Sequence, residues 1–456
     1  MVEIIIGVFI IASFIGMIIY CVKGFNLMVG FFLIASVWTG LAMLGNAISP
    51  IADGPMAERT WIQVLAHVYQ AGPQGFAQNI LVFIFFGAFF GRVLMDTGIA
   101  GTLIRKVVEL GGDRPRITMI LLCIVTSLCF TAMTGIGPVI SIAVIVLPIM
   151  QSLGIAAPIA LFAFMGSIMA GIAANITNFQ QYHGILSGAA ANTINDGLLE
   201  NYTYNDYAAF GWTALILCLV ITMLMANLAL NKNKPTRAWA APAEDTETQV
   251  NAPWYSWIAV VLPVILVITL SFPIIPAFIL SAIFALLTCR KLTGGFTEVC
   301  RMLAKQFIDG AVDVAPMVGF LLTLSMFNNS ALFASPYFSA IVGNIFPTTP
   351  LMIAILFAVI MPLGFFRGPT NLVGCGVAIA VVVMTIAPWN AMFIYPIFAM
   401  ATIVPQHIDI TQSWVAWGLG YTKVGSKDFM KFSIPTGWVA GAILCIIAFF
   451  MFGSIT

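Results

Sequence analysis

Residues 364–371 read Gly364-Phe365-Phe366-Arg367-Gly368-Pro369-Thr370-Asn371 and interrupt an otherwise apolar run over 350–387. Gly-Pro is a strong local helix breaker, and each half of the run is shorter than the roughly 20 residues that a membrane-spanning helix needs. The run 117–152 is broken in the same way, at Thr134-Gly135-Ile136-Gly137-Pro138. Both runs are therefore predicted to be re-entrant hairpins, which enter and leave the membrane on one side.

The composition around these stretches is that of a membrane protein. Hydrophobic residues make up 61% of the chain and charged residues 8%, whereas soluble domains contain roughly 25% charged residues. The net charge of +1 provides no basic patch for nucleic acid, so no nucleic-acid partner is expected. The sequence predicts an all-α polytopic membrane protein with about ten transmembrane helices, at 3–22, 26–47, 77–95, 156–173, 210–230, 255–271, 274–289, 310–327, 389–404 and 432–452.

A shift of 231 residues brings matching features of the two halves together. Gly137-Pro138 then falls on Gly368-Pro369, and the polar interruption 174–178 falls on 405–409. Each half is predicted to make five crossings, so the second copy is inverted relative to the first. Inverted repeats with discontinuous helices are the architecture of secondary transporters.

This pattern predicts three regions. The first inverted repeat covers 1–230, with scaffold helices in 3–47, a hairpin at 117–152 and an interrupted helix at 156–190. A polar linker covers 231–254. The second repeat covers 255–456, with scaffold helices in 255–289, a hairpin at 350–387 and an interrupted helix at 389–412.

Basic residues predict the orientation, because cytoplasmic loops collect Lys and Arg. If the N-terminus is external, every basic residue except Arg59 and Arg367 falls on the cytoplasmic face. We therefore expect a multi-pass protein of a cell membrane, probably the bacterial inner membrane in view of the resemblance below, with the linker cytoplasmic and both termini external.

The segment 86–98 (Phe86-Gly87-Ala88 through Asp96-Thr97-Gly98) leads into a basic amphipathic stretch, a Gly-Gly turn and the first broken hairpin. This order resembles gluconate and citrate permeases and C4-dicarboxylate carriers of the ion transporter superfamily, most clearly over 75–180 and, through the repeat, over 306–445. The resemblance implies a homodimer with a scaffold part and a moving transport part that works as an elevator.

Arg367 is the first candidate for a substrate contact. An arginine near the bilayer centre costs ~2.5–3.5 kcal/mol on insertion scales, so a bystander is disfavoured there. At a hairpin tip it could donate two hydrogen bonds to a carboxylate. The alternatives are an internal ion pair with Asp409 and a position at the membrane interface.

The hairpin tips and the first interruption supply the other predicted substrate-binding residues. Free backbone N–H groups and the positive end of a helix suit an anion, although chain reversal or helix capping alone would also explain these residue types. The predicted set is Thr134, Gly135, Gly137, Asn175, Thr177, Asn178, Gly368, Thr370 and Asn371.

The second interruption is predicted to couple transport to a cation. Gln406, His407, Asp409 and Thr411 offer amide, hydroxyl and titratable groups that could coordinate Na⁺ or carry a proton, with capping of frayed helix ends as the alternative. The hairpin tips are a second candidate location for Na⁺. Asp309 and Asp313 are expected to cap the start of a cytoplasmic helix.

Together these patterns predict a secondary active transporter, a symporter of a small organic anion such as a mono-, di- or hydroxycarboxylate, coupled to H⁺ or Na⁺. Membrane lipids and a second copy are the expected partners, and no cofactor is expected apart from Na⁺ as a candidate coupling ion. An anion channel and a membrane-embedded enzyme are the alternatives. The sequence contains no HExxH motif and no nucleophile beside a base, so an enzyme is not expected.

Overall fold

The computed structural model describes residues 2–23, 25–51, 54–112, 114–232, 251–342 and 346–454. Regular structure within these ranges is helical, with no strand. The first half contains α1 (Val2–Val22), α2 (Leu27–Ile48), α3 (Trp61–Ala66), α4 (Gly72–Phe76), α5 (Val82–Asp96), α6 (Ile99–Gly111), α7 (Pro115–Phe130), α8 (Ile136–Ser152), α9 (Ala157–Ala173), α10 (Ile176–Ala190) and α11 (Tyr204–Lys232). The second half contains α12 (Leu262–Leu270), α13 (Ile274–Thr288), α14 (Phe296–Val342), α15 (Pro350–Ile360), α16 (Gly376–Ile386), α17 (Ala391–Gln406), α18 (Ser413–Thr422) and α19 (Ser426–Phe452).

The two halves present their helices in a similar order. Each half has a helical pair, then a long helical element, two short helices around a break, a broken helix and a long final helix. In the first half these are α1 and α2, α3 to α6, α7 and α8, α9 and α10, and α11. In the second half they are α12 and α13, α14, α15 and α16, α17 and α18, and α19.

Two helical elements are longer than the spans predicted for them. The predicted span 77–95 is the later part of a continuous helix from Trp61 to Asp96, which contains π-helical segments at His67–Ala71 and Ala77–Leu81. The predicted span 310–327 lies within α14, which has 47 residues and is therefore about 70 Å long. A hydropathy window detects only the part in hydrocarbon, roughly 30 Å thick, whereas α14 begins in amphipathic sequence at Phe296.

The prediction of one continuous span at 255–271 is wrong. A 3-10 helix covers Trp254–Val260, and α12 begins at Leu262. Pro263 lies in the first turn of α12. Because proline has no N–H, it fits the start of a helix but cannot continue a hydrogen-bond ladder from the preceding turn.

The first broken run has short breaks. Residues 131–135 separate α7 from α8, and Gly135 has a φ of +97°. The helices α9 and α10 meet at 67°, and the break between them is shorter than the predicted interruption 174–178 because the helix resumes at Ile176. Asn175 caps this new start by accepting the N–H of Asn178 at 3.0 Å.

The second broken run has longer breaks than the sequence predicted. A 3-10 helix covers Met361–Arg367, and turns continue to Cys375 before α16 begins. The N–H of Cys375 donates to the carbonyl of Arg367 at 2.9 Å, and a Cβ on Gly374 would lie 2.3 Å from that carbonyl oxygen. Glycine therefore permits the tight fold that extends the break beyond 364–371.

Six helices are long and apolar enough to cross a membrane, or up to eight if each of two bent pairs counts as one span. The count of ten crossings and the domain boundaries stay predictions. Most of the predicted linker, residues 233–250, lies outside the described residues. Its C-terminal end lies against α6, where the N–H of Ala252 donates to Thr102 at 3.0 Å.

The long helix α14 organises the interior. It packs along α1, α2, α5 and α16. A Cβ on Gly319 would lie 3.5 Å from the sulfur of Met28, whereas a Cβ on Gly45 would lie 2.7 Å from the ring of Tyr337. Because Met28 and Gly45 lie near opposite ends of α2, residues 319 and 337 of α14 lie near opposite ends of the α1–α2 pair.

Candidate functional site

Arg367 is buried at the tip between α15 and α16. Its residue is 2% exposed, and its Cζ lies 5.6 Å from the ring centroid of Phe320 on α14. Nη2 donates to Oε1 of Gln412, but Nε and Nη1 have no hydrogen-bond partner among the described residues. The guanidinium is therefore a buried cation with donors left free.

This burial excludes two of the explanations considered for Arg367. A residue that is 2% exposed is not a snorkelling arginine at the membrane interface. The ion pairs within 4.0 Å in the described parts of the chain join Arg92 to Asp313, Lys106 to Glu109, Lys305 to Asp309, and Lys431 to Asp428. Arg367 and Asp409 are not among them.

Arg367 borders a cavity of about 450 Å³. The cavity wall combines α14, the start of α2 and the break between α17 and α18. Its lining residues are Asn26, Leu27, Met28, Ala315, Met317, Gly319, Phe320, Arg367, Gln406, Thr411, Gln412, Ser413 and Trp414. Oε1 of Gln406 lacks a hydrogen-bond partner within the described ranges, so the wall carries a further unused polar atom.

Two residues predicted to couple a cation, Gln406 and Thr411, therefore lie in the same cavity as Arg367. Asp409 lies behind the wall, fully buried. Its carboxylate accepts the backbone N–H of Phe366, the N–H of Thr411 at 3.2 Å and the hydroxyl of Thr411 at 2.8 Å. Asp409 thus fixes the backbone immediately before Arg367 and acts as a positioning residue.

His407 is also fully buried beside this wall. Nδ1 lies 2.9 Å from the carbonyl oxygen of Ile403, and the ring centroid lies 5.5 Å from that of Trp414. Nε2 has no hydrogen-bond partner in the part of the chain that the structure describes. His407 therefore presents one unused ring nitrogen next to the cavity-lining Trp414.

The other predicted residues of the second tip serve mainly its own fold. Asn371 donates from Nδ2 to the carbonyl of Gly364 at 3.2 Å and accepts the N–H of Val373 at 2.9 Å. A Cβ on Gly368 would lie 1.9 Å from the carbonyl oxygen of Leu363. Oγ1 of Thr370 is buried without a partner among the residues described. None of these three lines the Arg367 cavity.

The first tip faces a protein carboxylate. Thr134 is buried, and Gly137 lies in the first turn of α8, where a Cβ would lie 2.2 Å from Cγ of Asp313. Asp313 also pairs with Arg92 at 3.3 Å. The expectation that Asp313 caps the start of a helix is wrong, because α14 begins at Phe296 and Asp313 lies well inside it.

The helix break at Ala174 and Asn175 is satisfied from within the protein. Nδ2 of Asn175 donates to the carbonyls of Phe130 at 2.8 Å and Met133 at 3.0 Å. The hydroxyls of Tyr204 and Tyr207 donate to the carbonyls of Ala174 and Ala173, each at 2.6 Å. The expectation that freed carbonyls at this break are available to a ligand is therefore not met for these carbonyls.

Thr177 and Asn178 lie apart from the Arg367 cavity. Oγ1 of Thr177 and Oδ1 of Asn178 have no partner among described residues. A Cβ on Gly87 would lie 2.5 Å from Oγ1 of Thr177, and Nδ2 of Asn178 donates to the hydroxyl of Tyr182 at 3.4 Å. The predicted substrate-binding residues thus divide between two regions.

The sequence analysis missed Gln412 and Phe320, which contact Arg367 directly. Gln412 follows the polar interruption at 405–409 by three residues, so its position offered a signal. Phe320 offered none, because one phenylalanine in an apolar run cannot be distinguished from the others.

No protein-family model matches the sequence, and no curated protein matches it. Among solved structures, the Alcanivorax borkumensis YdaH transporter, whose crystal structure is described as having an unusual topology, is similar to this chain with a TM-score of 0.64. The match covers 94% of this chain and 99% of that one at 11% sequence identity, so it shows the fold alone. The chain is an all-α, multi-pass membrane protein with the fold of a transporter.

Proposed function

We propose that this protein is a secondary active transporter that carries a small organic anion, such as a mono-, di- or hydroxycarboxylate, in symport with H⁺ or Na⁺. The observation that carries the proposal is the guanidinium of Arg367, which borders the 450 Å³ cavity with Nε and Nη1 unpartnered among the described residues.

The energetics favour an anionic guest. Burying an arginine at membrane depth costs ~2.5–3.5 kcal/mol on insertion scales, and each donor left without an acceptor adds to this cost. The carboxylate of Asp409, the nearest acid in sequence, already accepts hydrogen bonds from Phe366 and Thr411. A carboxylate in the cavity would supply the missing charge and acceptors.

The rest of the cavity wall fits a small polar anion. Gln406, Thr411, Gln412 and Ser413 are neutral and can hydrogen-bond to hydroxyl or carboxylate oxygens, and Phe320 and Trp414 supply apolar contact. Arg367 is the only charged residue of the lining. This balance favours a monovalent or divalent organic acid over a neutral solute.

The proposed mechanism is an elevator built from two inverted repeats. Support comes from the similar order of elements in the two halves and from the two breaks at corresponding places, between α9 and α10 and between α17 and α18. Transport itself is supported by the likeness to a transporter fold. We further propose a homodimer in a bacterial inner membrane, with the 231–254 linker cytoplasmic and both termini external.

The coupling ion is proposed to be H⁺, with Na⁺ as the alternative. His407 has a ring nitrogen that lacks a partner in the described ranges and lies beside Trp414 of the cavity wall. Protonation of a buried histidine next to an arginine is unfavourable unless an anion is present. Anion and proton would therefore bind together, which is the requirement for symport.

The test is uptake into proteoliposomes that contain the purified protein. A panel of carboxylates would be supplied under a pH gradient and, separately, under a Na⁺ gradient. We expect saturable uptake of at least one carboxylate under one gradient, and loss of this uptake in Arg367→Ala. Arg301→Ala is the matched control, because Arg301 is exposed and should tolerate the change.

Two outcomes would contradict the proposal. Gradient-driven uptake of none of the carboxylates would remove the transport assignment. Uptake by Arg367→Ala with the affinity of the unmodified protein would remove Arg367 as the carboxylate contact.

A further inference from the structure

A second arginine stacks on the same helix as Arg367. Cζ of Arg59 lies 5.4 Å from the ring centroid of Phe333, and Cζ of Arg367 lies 5.6 Å from that of Phe320. The two phenylalanines are separated along α14 by about 20 Å, at 1.5 Å per residue. Nη1 of Arg59, like that of Arg367, is buried without a hydrogen-bond partner in the described part of the chain.

A cavity of about 240 Å³ lies between these two levels of α14. Its wall includes Ser325, Asn328 and Asn329 of α14, together with Ala71 and Gly188 from the facing helices. Asn328 is 7% exposed, and its Nδ2 donates to the carbonyl of Ile185 at 3.3 Å. Oδ1 is therefore the atom left for a guest, and it has no partner among described residues.

Contacts join this cavity to Arg59. Nδ2 of Asn329, in the cavity wall, donates to the carbonyl of His67 at 2.7 Å. The ring centroid of His67 lies 5.5 Å from that of Phe333, edge to face, and Arg59 covers the same ring. Arg59 therefore lies about one turn of α14 beyond the cavity wall.

The two arginines lie toward opposite ends of the molecule. Gly319, next to Phe320, faces Met28 at the start of α2, whereas Tyr337, one turn beyond Phe333, packs on Gly45 near the end of α2. Arg59 is also the one basic residue that the orientation argument leaves on the face opposite the cytoplasmic loops. One positive charge on a face with few others attracts anions to its surroundings.

We propose that Arg59 and the 240 Å³ cavity form a second binding site for the transported carboxylate, at the end of α14 opposite the Arg367 cavity. Arg59 binds the carboxylate at the mouth, and Oδ1 of Asn328 accepts a hydrogen bond from a hydroxyl or amide of the same molecule. The site thus selects small carboxylates that carry such a donor. This inference rests on the proposed function.

The test uses charged thiol reagents and does not require turnover. Ala71 is exposed and lines the cavity, so Ala71→Cys would be introduced after Cys289 and Cys300 are replaced by Ser. The labelling rate would be measured with anionic 2-sulfonatoethyl methanethiosulfonate and cationic 2-(trimethylammonium)ethyl methanethiosulfonate. With Arg59→Gln we expect the anionic rate to fall about fivefold, the effect of one nearby unit charge in water, and the cationic rate to rise.

Two control variants separate charge from misfolding. Arg59→Lys keeps the charge and should keep the ratio of the two labelling rates. Arg301→Gln removes an exposed charge elsewhere and should leave the ratio unchanged.

An unchanged ratio in Arg59→Gln would overturn this inference, and so would an equal change in Arg59→Lys. Because labelling is measured without a gradient, such a result would leave the uptake experiments on Arg367 intact. Conversely, absence of uptake would not by itself alter the labelling ratio.

Discussion

At the residue scale, the tip that carries Arg367 adopts a strained backbone. Phe366 and Arg367 have φ values of +56° and +58°, a left-handed conformation that costs on the order of 1–3 kcal/mol for each residue other than glycine. Such strain persists only where the surroundings hold it, and here Asp409 accepts the Phe366 N–H while Gln412 accepts from Arg367. The tip is thus preorganised to direct a guanidinium into the cavity.

Gln412→Glu tests whether the free charge of Arg367 serves the substrate. The new carboxylate would lie in hydrogen-bond contact with Arg367 and compete with an external anion for it. We expect the KM for carboxylate uptake to rise at least about tenfold, which corresponds to ~1.4 kcal/mol of binding. The measurement is initial uptake rate against carboxylate concentration.

Gln412→Leu is the matched control, because it removes the acceptor and leaves the positive charge free. We expect a change in KM well below that of Gln412→Glu. Equal KM values in the two variants would mean that Arg367 does not contact the substrate.

The sequence identified Arg367 because a charge inside an apolar run is conspicuous. It did not identify the role of Asp409, which was a candidate for an ion pair or a proton carrier and instead accepts three hydrogen bonds that hold the tip. Residue type alone cannot distinguish these roles, since each uses a carboxylate. The distinction depends on which backbone N–H groups the tertiary fold brings within reach.

At the element scale, the break between α9 and α10 is completed by side chains of other helices. Tyr204 and Tyr207 of α11 donate to its freed carbonyls at 2.6 Å. A helix break inside a membrane therefore needs polar partners but does not need a ligand. The second break, with Arg367 and Gln406 unsatisfied within the described residues, is the one that retains capacity for a guest.

Tyr204→Phe should destabilise the fold without altering substrate affinity. The change removes only a hydroxyl and leaves the carbonyl of Ala174 unsatisfied, which costs about 1–3 kcal/mol. Tyr204 does not line the Arg367 cavity, so the KM for carboxylate should stay unchanged. Urea unfolding in detergent and uptake kinetics would measure the two effects, with exposed Tyr421→Phe as the control.

Gly137→Ala should disturb the first hairpin tip. A Cβ there would lie 2.2 Å from Cγ of Asp313, so the carboxylate would have to move away from Arg92. We expect a loss of stability of about 1–3 kcal/mol, as for overpacking in a core. Gly40→Ala is the control: nothing lies within 4 Å of its Cβ, and alanine favours a helix interior by roughly 0.5–1 kcal/mol.

A loss of stability in Gly40→Ala as large as that in Gly137→Ala would contradict this account of the tip. It would mean that the contact with Asp313 does not determine the cost.

The sequence predicted the broken elements well and the uninterrupted ones less well. Glycine, proline and polar residues in apolar runs mark the breaks directly. The full extents of α14 and of the helix from Trp61 to Asp96 were not predicted, because their ends lie outside the apolar windows. The 55° bend between α5 and α6 occurs at Gly98, whose φ of +78° depends on tertiary packing.

At the scale of the whole molecule, α14 connects the two arginine levels and packs along α1 and α2. The Arg367 cavity adjoins Asn26 between α1 and α2, and the smaller cavity lies further along α14, between it and α10. In the proposed elevator, α1, α2 and α14 form the static part, and α10 belongs to the part that moves. The contact between α10 and α14 would then be a boundary that slides.

A pair of engineered disulfides tests this division. A Cβ on Gly188 of α10 would lie 2.6 Å from Nδ2 of Asn328 on α14, so cysteines at these two positions are within reach of a disulfide. We expect oxidation of Gly188→Cys/Asn328→Cys to abolish uptake, because the cross-link prevents sliding, and reduction to restore the rate that the same variant had before oxidation. Comparison within one variant removes any effect of the substitutions on the cavity.

The matched pair lies within the proposed static part. A Cβ on Gly7 of α1 would lie 3.2 Å from Cγ1 of Ile341 on α14, so Gly7→Cys/Ile341→Cys can form a similar bond across a contact that need not move. Oxidation should leave uptake by this variant unchanged, with gel mobility before and after reduction confirming that both bonds form. Full uptake with the 188–328 bond closed would rule out movement of α10 against α14, and loss of uptake with only the 7–341 bond closed would place the moving boundary between α1 and α14 instead.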